Sequence, residues 1–94
     1  MNNPVDNSER KSLLEFPSRF PIKAMGRQSE EFEANVREII FRHAQLWPDE
    51  EVKLQPSRAG NFLSVTMVIE ALSQAQLDAI YQELTDSELV IMAL

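Results

Sequence analysis

The stretch FLSVTMVIEA, residues 62 to 71, sets the strongest limit on the fold of this chain. On one face of an extended strand it places four apolar side chains, Leu63, Val65, Met67 and Ile69. On the other face it places Phe62, Ser64, Thr66 and Val68. Because successive side chains of a strand point to opposite faces, this alternation predicts a long strand with one face against a core.

Three further apolar stretches predict the other strands of a sheet. The first includes Ile22, ends at Gly26 and begins near Pro21, which has no N–H group for the hydrogen-bond ladder. The second covers residues 52–55, and the third is LVIMAL, residues 89–94.

Two segments between these strands have the spacing of amphipathic helices. The stripe of the first consists of Phe32, Val36, Ile39, Ile40 and His43. The stripe of the second consists of Leu77, Ile80, Tyr81 and Leu84. Ser29 is predicted to cap the first helix. Ser73 and Gln76 form a capping box at the second, with Leu72 and Leu77 placed as a hydrophobic staple.

The resulting order of elements is β-α-β-β-α-β. Right-handed crossovers on each side of a central hairpin then give an α+β fold, the ferredoxin-like sandwich, with a four-stranded antiparallel sheet and two helices on one face. The first and third strands are expected at the centre and the second and fourth at the edges. Residues 13–94 are predicted to form this single domain, and the polar residues 1–12 a mobile N-terminal tail.

Composition narrows the classes of partner. The net charge is −6, with only three lysines, so we expect no nucleic-acid partner, because such proteins carry a basic surface that neutralises phosphates. No apolar run approaches the ~18 residues that span a membrane, and the N-terminus has no apolar region of a signal peptide. The chain contains no cysteine, which favours the reducing cytoplasm.

Four residues lie where the first strand gives way to the first helix: Met25, Gly26, Arg27 and Gln28. In one interpretation, free N–H groups at the helix N-terminus and the Arg27 guanidinium hold a small carboxylate or a phosphate. In the other, the segment is an ordinary turn with Gly26 at a backbone angle that other residues avoid. Three glutamates in the first turn of the helix favour the second interpretation, because they would repel an anion.

His43 is the only histidine, and it lies near the C-terminus of the first helix. A metal site would need further imidazole or thiolate ligands, so we predict neither a metal nor another cofactor. We interpret His43 as a packed residue that interacts with the helix end.

Six apolar side chains are predicted to contact a second copy of the chain or an unidentified protein: Phe41, Phe62, Val68, Val90, Met92 and Leu94. The last strand is apolar on both faces, and such an edge strand favours pairing with another chain. For Phe41, on the polar face of the first helix, the alternative is cover by Leu13, Leu14 and Phe16.

Catalysis is not predicted. RNA-recognition domains share this strand order but stack bases on aromatic residues of the first and third strands, where this chain offers only Phe62. Acylphosphatases use an arginine in the first corner and an asparagine nearby, which Arg27 and Asn61 could supply, but their glycine-rich phosphate cradle is absent.

Three blocks of sequence resemble the YbeD-like family of small bacterial proteins: LLEFPSRFPIKAMG at 13–26, RHA at 42–44 and GNFLSVTMVIEA at 60–71. The resemblance implies the same ferredoxin-like fold and a likeness to ACT domains, which bind amino acids and regulate metabolic enzymes. In ACT domains the effector binds near the first strand–helix corner, here Met25 to Gln28. The family brings no established activity, and its suggested link to lipoate metabolism has no supporting motif here.

We therefore expect a non-catalytic, cytoplasmic regulatory or interaction module that acts through protein–protein contacts and modulates a metabolic enzyme. The alternative is an ACT-like sensor that binds an amino acid or a related carboxylate at residues 25–28.

Overall fold

The computed structural model of the chain describes residues 14–94. The predicted tail, residues 1–12, and Leu13 lie outside these described residues. The elements are β1 (Ser18–Arg27), α1 (Glu30–His43), β2 (Lys53–Pro56), β3 (Phe62–Ala71), α2 (Gln74–Asp86) and β4 (Met92–Ala93).

The four strands form one antiparallel sheet in the order β2-β3-β1-β4, which confirms the predicted ferredoxin-like arrangement. The central strands β1 and β3 are paired along their whole length, from Ser18 opposite Ala71 to Arg27 opposite Phe62. Both helices cover the same face of the sheet. The side chains between the two layers that are fully buried are Ile22, Ala24, Phe32, Val36, Ile40, Val65, Met67, Ile69, Ala71, Ile80 and Leu84.

β1 begins at Ser18, ahead of the predicted start near Pro21. The N–H and the carbonyl of Lys23 both bond to Leu94, at 3.1 and 2.8 Å. Since alternate residues of a strand direct their backbone groups to the same neighbour, Pro21 turns its nitrogen to that side as well. β4 and its flanking residues do not reach Pro21, so the proline removes no ladder hydrogen bond and the strand continues through it.

β4 is shorter than predicted, because only Met92–Ala93 form a strand where LVIMAL suggested one over residues 89–94. A turn occupies the first half of that stretch. The Val90 N–H donates to the Ser87 carbonyl at 3.2 Å, and the Leu89 N–H donates to Ser87 Oγ at 3.3 Å. Period-two patterning cannot separate such a turn from a strand when both are apolar.

β2 covers residues 53–56 rather than the predicted 52–55, and all four residues are exposed, as expected at a sheet edge. Both predicted helix caps are confirmed. Ser29 Oγ accepts the Phe32 N–H and Ser73 Oγ accepts the Gln76 N–H, each at 3.0 Å. Leu72, the predicted outer half of the staple, is 58% exposed and so buries little surface.

Candidate functional site

The corner between β1 and α1 is built around Gly26, but not as a turn. Gly26 is a buried strand residue without a positive φ, whereas Gly60 in the β2–β3 loop has a φ of 79°. A Cβ atom at Gly26 would lie 2.5 Å from Cε1 of Phe32 and would collide with the Leu89 carbonyl oxygen. The predicted special backbone angle is therefore wrong, and Gly26 is needed because α1 and the 87–90 turn approach β1 closely.

The neighbours of Gly26 point in different directions. Met25 and Arg27 lie on the open face of the sheet, away from the helices, where Met25 pairs with Met92. The Arg27 guanidinium carbon lies 5.6 Å from the centroid of the Phe62 ring, a cation–π contact.

The backbone N–H of Gln28 is not free to bind a ligand, because it donates to the Asn61 carbonyl at 2.9 Å. At the helix N-terminus the Phe32 N–H is bonded to Ser29 Oγ. The corner thus offers fewer free N–H groups than an anion site would use, and it does not bring Met25, Gly26, Arg27 and Gln28 together around one point.

Two hollows adjoin the corner on opposite sides. The larger, about 340 Å³, lies between the start of α1 and the β2 edge, and its lining is Gln28, Ser29, Glu30, Glu33, Leu54, Pro56 and Leu63. It has an apolar floor and an acidic wall. The smaller, about 170 Å³, is lined by Arg27, Ser29, Glu88, Leu89 and Ile91. Arg27 therefore lines the smaller hollow, whose volume is below the roughly 300 Å³ of a typical ligand pocket.

The C-terminal edge of the sheet is the most apolar exposed region of residues 14–94. Four side chains around β4 form it, with exposed fractions of 38% for Leu89, 62% for Ile91, 48% for Met92 and 62% for Leu94. We call them the C-terminal apolar edge. Val90, predicted with them as a contact residue, is half-buried and packs against the core.

The other three predicted contact residues lie far apart. Val68 is only 5% exposed, so its prediction as a surface residue is wrong. It lies beside the segment after α1, where the Trp47 N–H donates to the Val68 carbonyl at 2.9 Å, and this segment extends the sheet past the end of β2. Phe62 is 40% exposed on the open face, and Phe41 is 46% exposed on α1.

Phe41 borders a third hollow, of about 370 Å³, whose other lining residues are Arg42, His43, Ala44, Gln45, Glu70 and Leu72. Leu14 and Phe16 pack against the core, and Leu13 lies outside the described residues. Phe41 keeps nearly half of its surface exposed, so any cover by these residues is at most partial.

His43 and Arg42, at the end of α1, both contact Glu83 of α2. The Arg42 Nη2 atom lies 2.6 Å from one carboxylate oxygen of Glu83, and His43 Nε2 is bonded to the other. These two hydrogen bonds lower the pKa of Glu83 below its ordinary value. His43 therefore interacts with the neighbouring helix through a charged group, which the prediction of a packed histidine at its own helix end did not include.

Sequence reasoning missed two features. Glu83 gave no signal, because its partners are about 40 residues away in the chain. Lys23 and Arg27 did give a signal in the sequence, because they alternate with the apolar residues of β1. They therefore had to share the face of the sheet that is opposite to the core.

Within residues 14–94, no three His, Asp or Glu side chains come together as a metal site would require. In the same range, no helix combines the length and the apolar content needed to cross a membrane.

Comparison with solved structures supports the fold. The solution structure of protein HP0495 from H. pylori superposes with a TM-score of 0.68 at 14% identity, covering 99% of this chain and 98% of that one. The crystal structure of the ACT domain from GTP pyrophosphokinase of Chlorobium tepidum gives a TM-score of 0.64 at 11% identity, covering 82% of this chain and 97% of the domain. At these identities the likeness is one of fold alone.

Comparison of sequences gives the family. A UPF0250 protein of Nitrosomonas europaea is 41% identical over 83 residues, which cover 88% of this chain and 95% of that protein. A UPF0250 protein of Leptothrix cholodnii is 39% identical over 89 residues, or 95% of this chain and 98% of the relative. The model of a family described as a protein of unknown function, DUF493, matches residues 11–94. The expected kinship with YbeD-like proteins is confirmed, since YbeD is a member of the same family, and the chain belongs to the DUF493 (UPF0250) family.

Proposed function

We propose that this protein is a non-catalytic regulatory or interaction module that works in the cytoplasm through protein–protein contacts, with a second copy of itself or with a metabolic enzyme. The observation that carries the proposal is the C-terminal apolar edge, Leu89, Ile91, Met92 and Leu94. Exposed apolar side chains grouped at a sheet edge are typical of surfaces that pair with another chain.

The geometry of the edge suits a two-fold dimer. β4 bonds to β1 on one side only, so its other side presents backbone groups that a second β4 could pair with in antiparallel fashion. A two-fold contact of this kind buries the same residues in both copies, which doubles the effect of any single substitution.

The test is the oligomeric state of two matched variants, measured by analytical ultracentrifugation. Ile91→Lys places a charge in the edge, and Leu72→Lys places the same charge on a leucine of similar exposure, 58% against 62%, at the start of α2. The wild-type protein and Leu72→Lys are expected to form dimers, and Ile91→Lys to remain monomeric. A monomeric wild type at every concentration would overturn the self-contact, and dissociation by Leu72→Lys alone would place the contact elsewhere.

The alternative is an ACT-like sensor of a small carboxylate at Met25 to Gln28. It is supported by the larger hollow beside Gln28 and Ser29, whose volume of about 340 Å³ is sufficient for an amino acid. Two glutamates in its wall weigh against a carboxylate ligand, and Arg27 does not line it. The interaction module therefore has the stronger support.

Thermal unfolding against amino acids and lipoate distinguishes the two. A ligand at 100 times its dissociation constant adds about 2.7 kcal/mol to the free energy of unfolding, which raises the melting temperature of a domain of this size by roughly 10 °C. The interaction module predicts no such rise for any compound. A rise that Arg27→Ala abolishes would favour the sensor instead.

A further inference from the structure

The open face of the sheet carries positive charge although the protein is acidic. Lys23 of β1 and Lys53 of β2 both pair with Thr66 of β3, so they lie on the same face with their Cα atoms roughly 10 Å apart. Arg27 lies further along the same face, over the ring of Phe62. We call Lys23, Arg27, Lys53 and Phe62 the cationic sheet face.

The three cations of this face form no salt bridge with any residue from 14 to 94. In contrast, the two arginines of α1 are both ion-paired, Arg37 with Glu33 and Arg42 with Glu38 and Glu83. The arginines of α1 and Arg19 of β1, which pairs with Glu50, are thus neutralised, whereas the three cations of the cationic sheet face are not.

More than half of the acidic residues from 14 to 94 lie on the helices, and Glu70, the one acidic residue of the strands, lies opposite Arg19 at the end of β1 away from Arg27. The helices carry seven of them, Glu30, Glu31, Glu33, Glu38, Asp78, Glu83 and Asp86. Exposed charges on opposite sides of the molecule interact weakly through the solvent, where the Debye length at physiological salt is about 8 Å. The cationic sheet face therefore carries a local excess of positive charge although the net charge of the chain is −6.

The chemistry of the face favours protein over nucleic acid. Binding of single-stranded nucleic acid needs exposed aromatic rings on which bases stack. Phe62 is the one exposed aromatic ring on the face, and the Arg27 guanidinium already lies over it. Met25, half-buried between the cations, supplies instead a flexible apolar contact of the kind found at protein interfaces.

We propose that the cationic sheet face is a binding site for an acidic protein segment that carries apolar side chains between its carboxylates. Carboxylates would pair with Lys23, Lys53 and Arg27, and apolar side chains would lie on Met25 and the edge of Phe62. This inference goes beyond the proposed function, because it concerns a different surface and assigns the chemistry of the partner.

The test uses the full chain labelled with ¹⁵N and a synthetic peptide that alternates glutamate and leucine, titrated at low ionic strength and followed by NMR. We expect saturable shifts at the amides of Lys23, Thr66 and Lys53, and weaker binding as salt is added. A second peptide with lysine in place of glutamate is expected to cause no shifts.

A matched pair of double variants assigns the charge. Lys23→Gln with Lys53→Gln removes two cations from the face, and Arg37→Gln with Arg42→Gln removes two from α1. We expect the first to weaken peptide binding about tenfold and the second to change it little. Circular dichroism of both variants shows whether each is still folded.

Three results would overturn the proposal. The first is that the acidic peptide shows no saturable binding. The second is that the shifts are confined to the helices. The third is that single-stranded oligouridylate binds the cationic sheet face and the acidic peptide does not. None of them bears on dimer formation through the C-terminal apolar edge, which Ile91→Lys tests separately.

Discussion

At the scale of single residues, the two glycines of the chain are required for different physical reasons. Gly60 adopts a φ of 79° with open space around it, whereas Gly26 has no positive φ but no room for a Cβ. Sequence alone assigned Gly26 to a turn because it precedes a helix cap. Close approach of a distant segment such as Leu89 leaves no mark in the local sequence.

Gly26→Ala is expected to lower the free energy of unfolding by about 2 kcal/mol, because the new methyl group forces apart Phe32 and the backbone at Leu89. Gly60→Ala is the control, with an expected cost of about 1 kcal/mol from its left-handed backbone alone. Urea unfolding followed by the fluorescence of Trp47 gives both values. Equal or reversed costs would contradict the packing role of Gly26.

Glu83 links stability to pH. Hydrogen bonds from His43 and Arg42 lower its pKa in the folded protein below the ordinary value of 4.5, so the folded state binds a proton less readily than the unfolded chain. This stabilisation is complete above pH 4.5 and is lost as the pH falls through the lower, folded pKa. The melting temperature of the wild type should therefore fall more steeply with acidification than that of Glu83→Gln. Parallel curves for the two proteins would show that the contact adds nothing.

At the scale of elements, the helix starts and the long central strand β3 were predictable because caps and alternation are local signals. The capping box is one example, but the structure gives Gln76 a second role. Its side-chain Oε1 accepts the N–H of Leu72, the residue before the N-cap, at 2.6 Å, and its side-chain Nε2 donates to the His43 carbonyl at 2.8 Å. One side chain therefore ties the start of α2 to the end of α1.

Gln76→Glu separates the two roles. By capping rules it should be neutral or stabilising, since glutamate accepts the same N–H and suits a helix N-terminus. The structure predicts that the free energy of unfolding falls by about 1 kcal/mol. The reason is that a carboxylate oxygen takes the place of the amide nitrogen that donates to the His43 carbonyl. Thermal unfolding of wild type, Gln76→Glu and Gln76→Ala measures this, and a glutamate variant as stable as wild type would refute the link.

At the scale of the whole molecule, the fold class followed from the order of the elements, but the surface did not follow from the composition. The net charge of −6 does not reveal that the helices are acidic while the open face of the sheet carries Lys23, Arg27 and Lys53. The divergence of Met25, Gly26 and Arg27 follows from alternation along β1, but the interpretation of residues 25–28 as one turn treated them as a single group. The candidate site thus depends on geometry that only the folded chain supplies.

One continuous core joins the sheet and both helices, so residues 14–94 are expected to unfold in a single transition. Trp47 reports on the segment beside β3, and far-ultraviolet circular dichroism reports mainly on the helices. The two probes should give coincident urea curves. A fluorescence change that precedes the loss of helix would show instead that this segment detaches on its own.

Pro21 decides where residues added beyond Leu94 would go. Lys23 pairs with Leu94, so the next residue of β1 able to face an added segment is Pro21, which has no N–H to donate. An affinity tag fused after Leu94 would lack this hydrogen bond, so its pairing with β1 is expected to end at about that point. A C-terminal tag is therefore expected to leave the central strands unaltered, but because Leu94 belongs to the C-terminal apolar edge, dimer formation is measured with the tag removed.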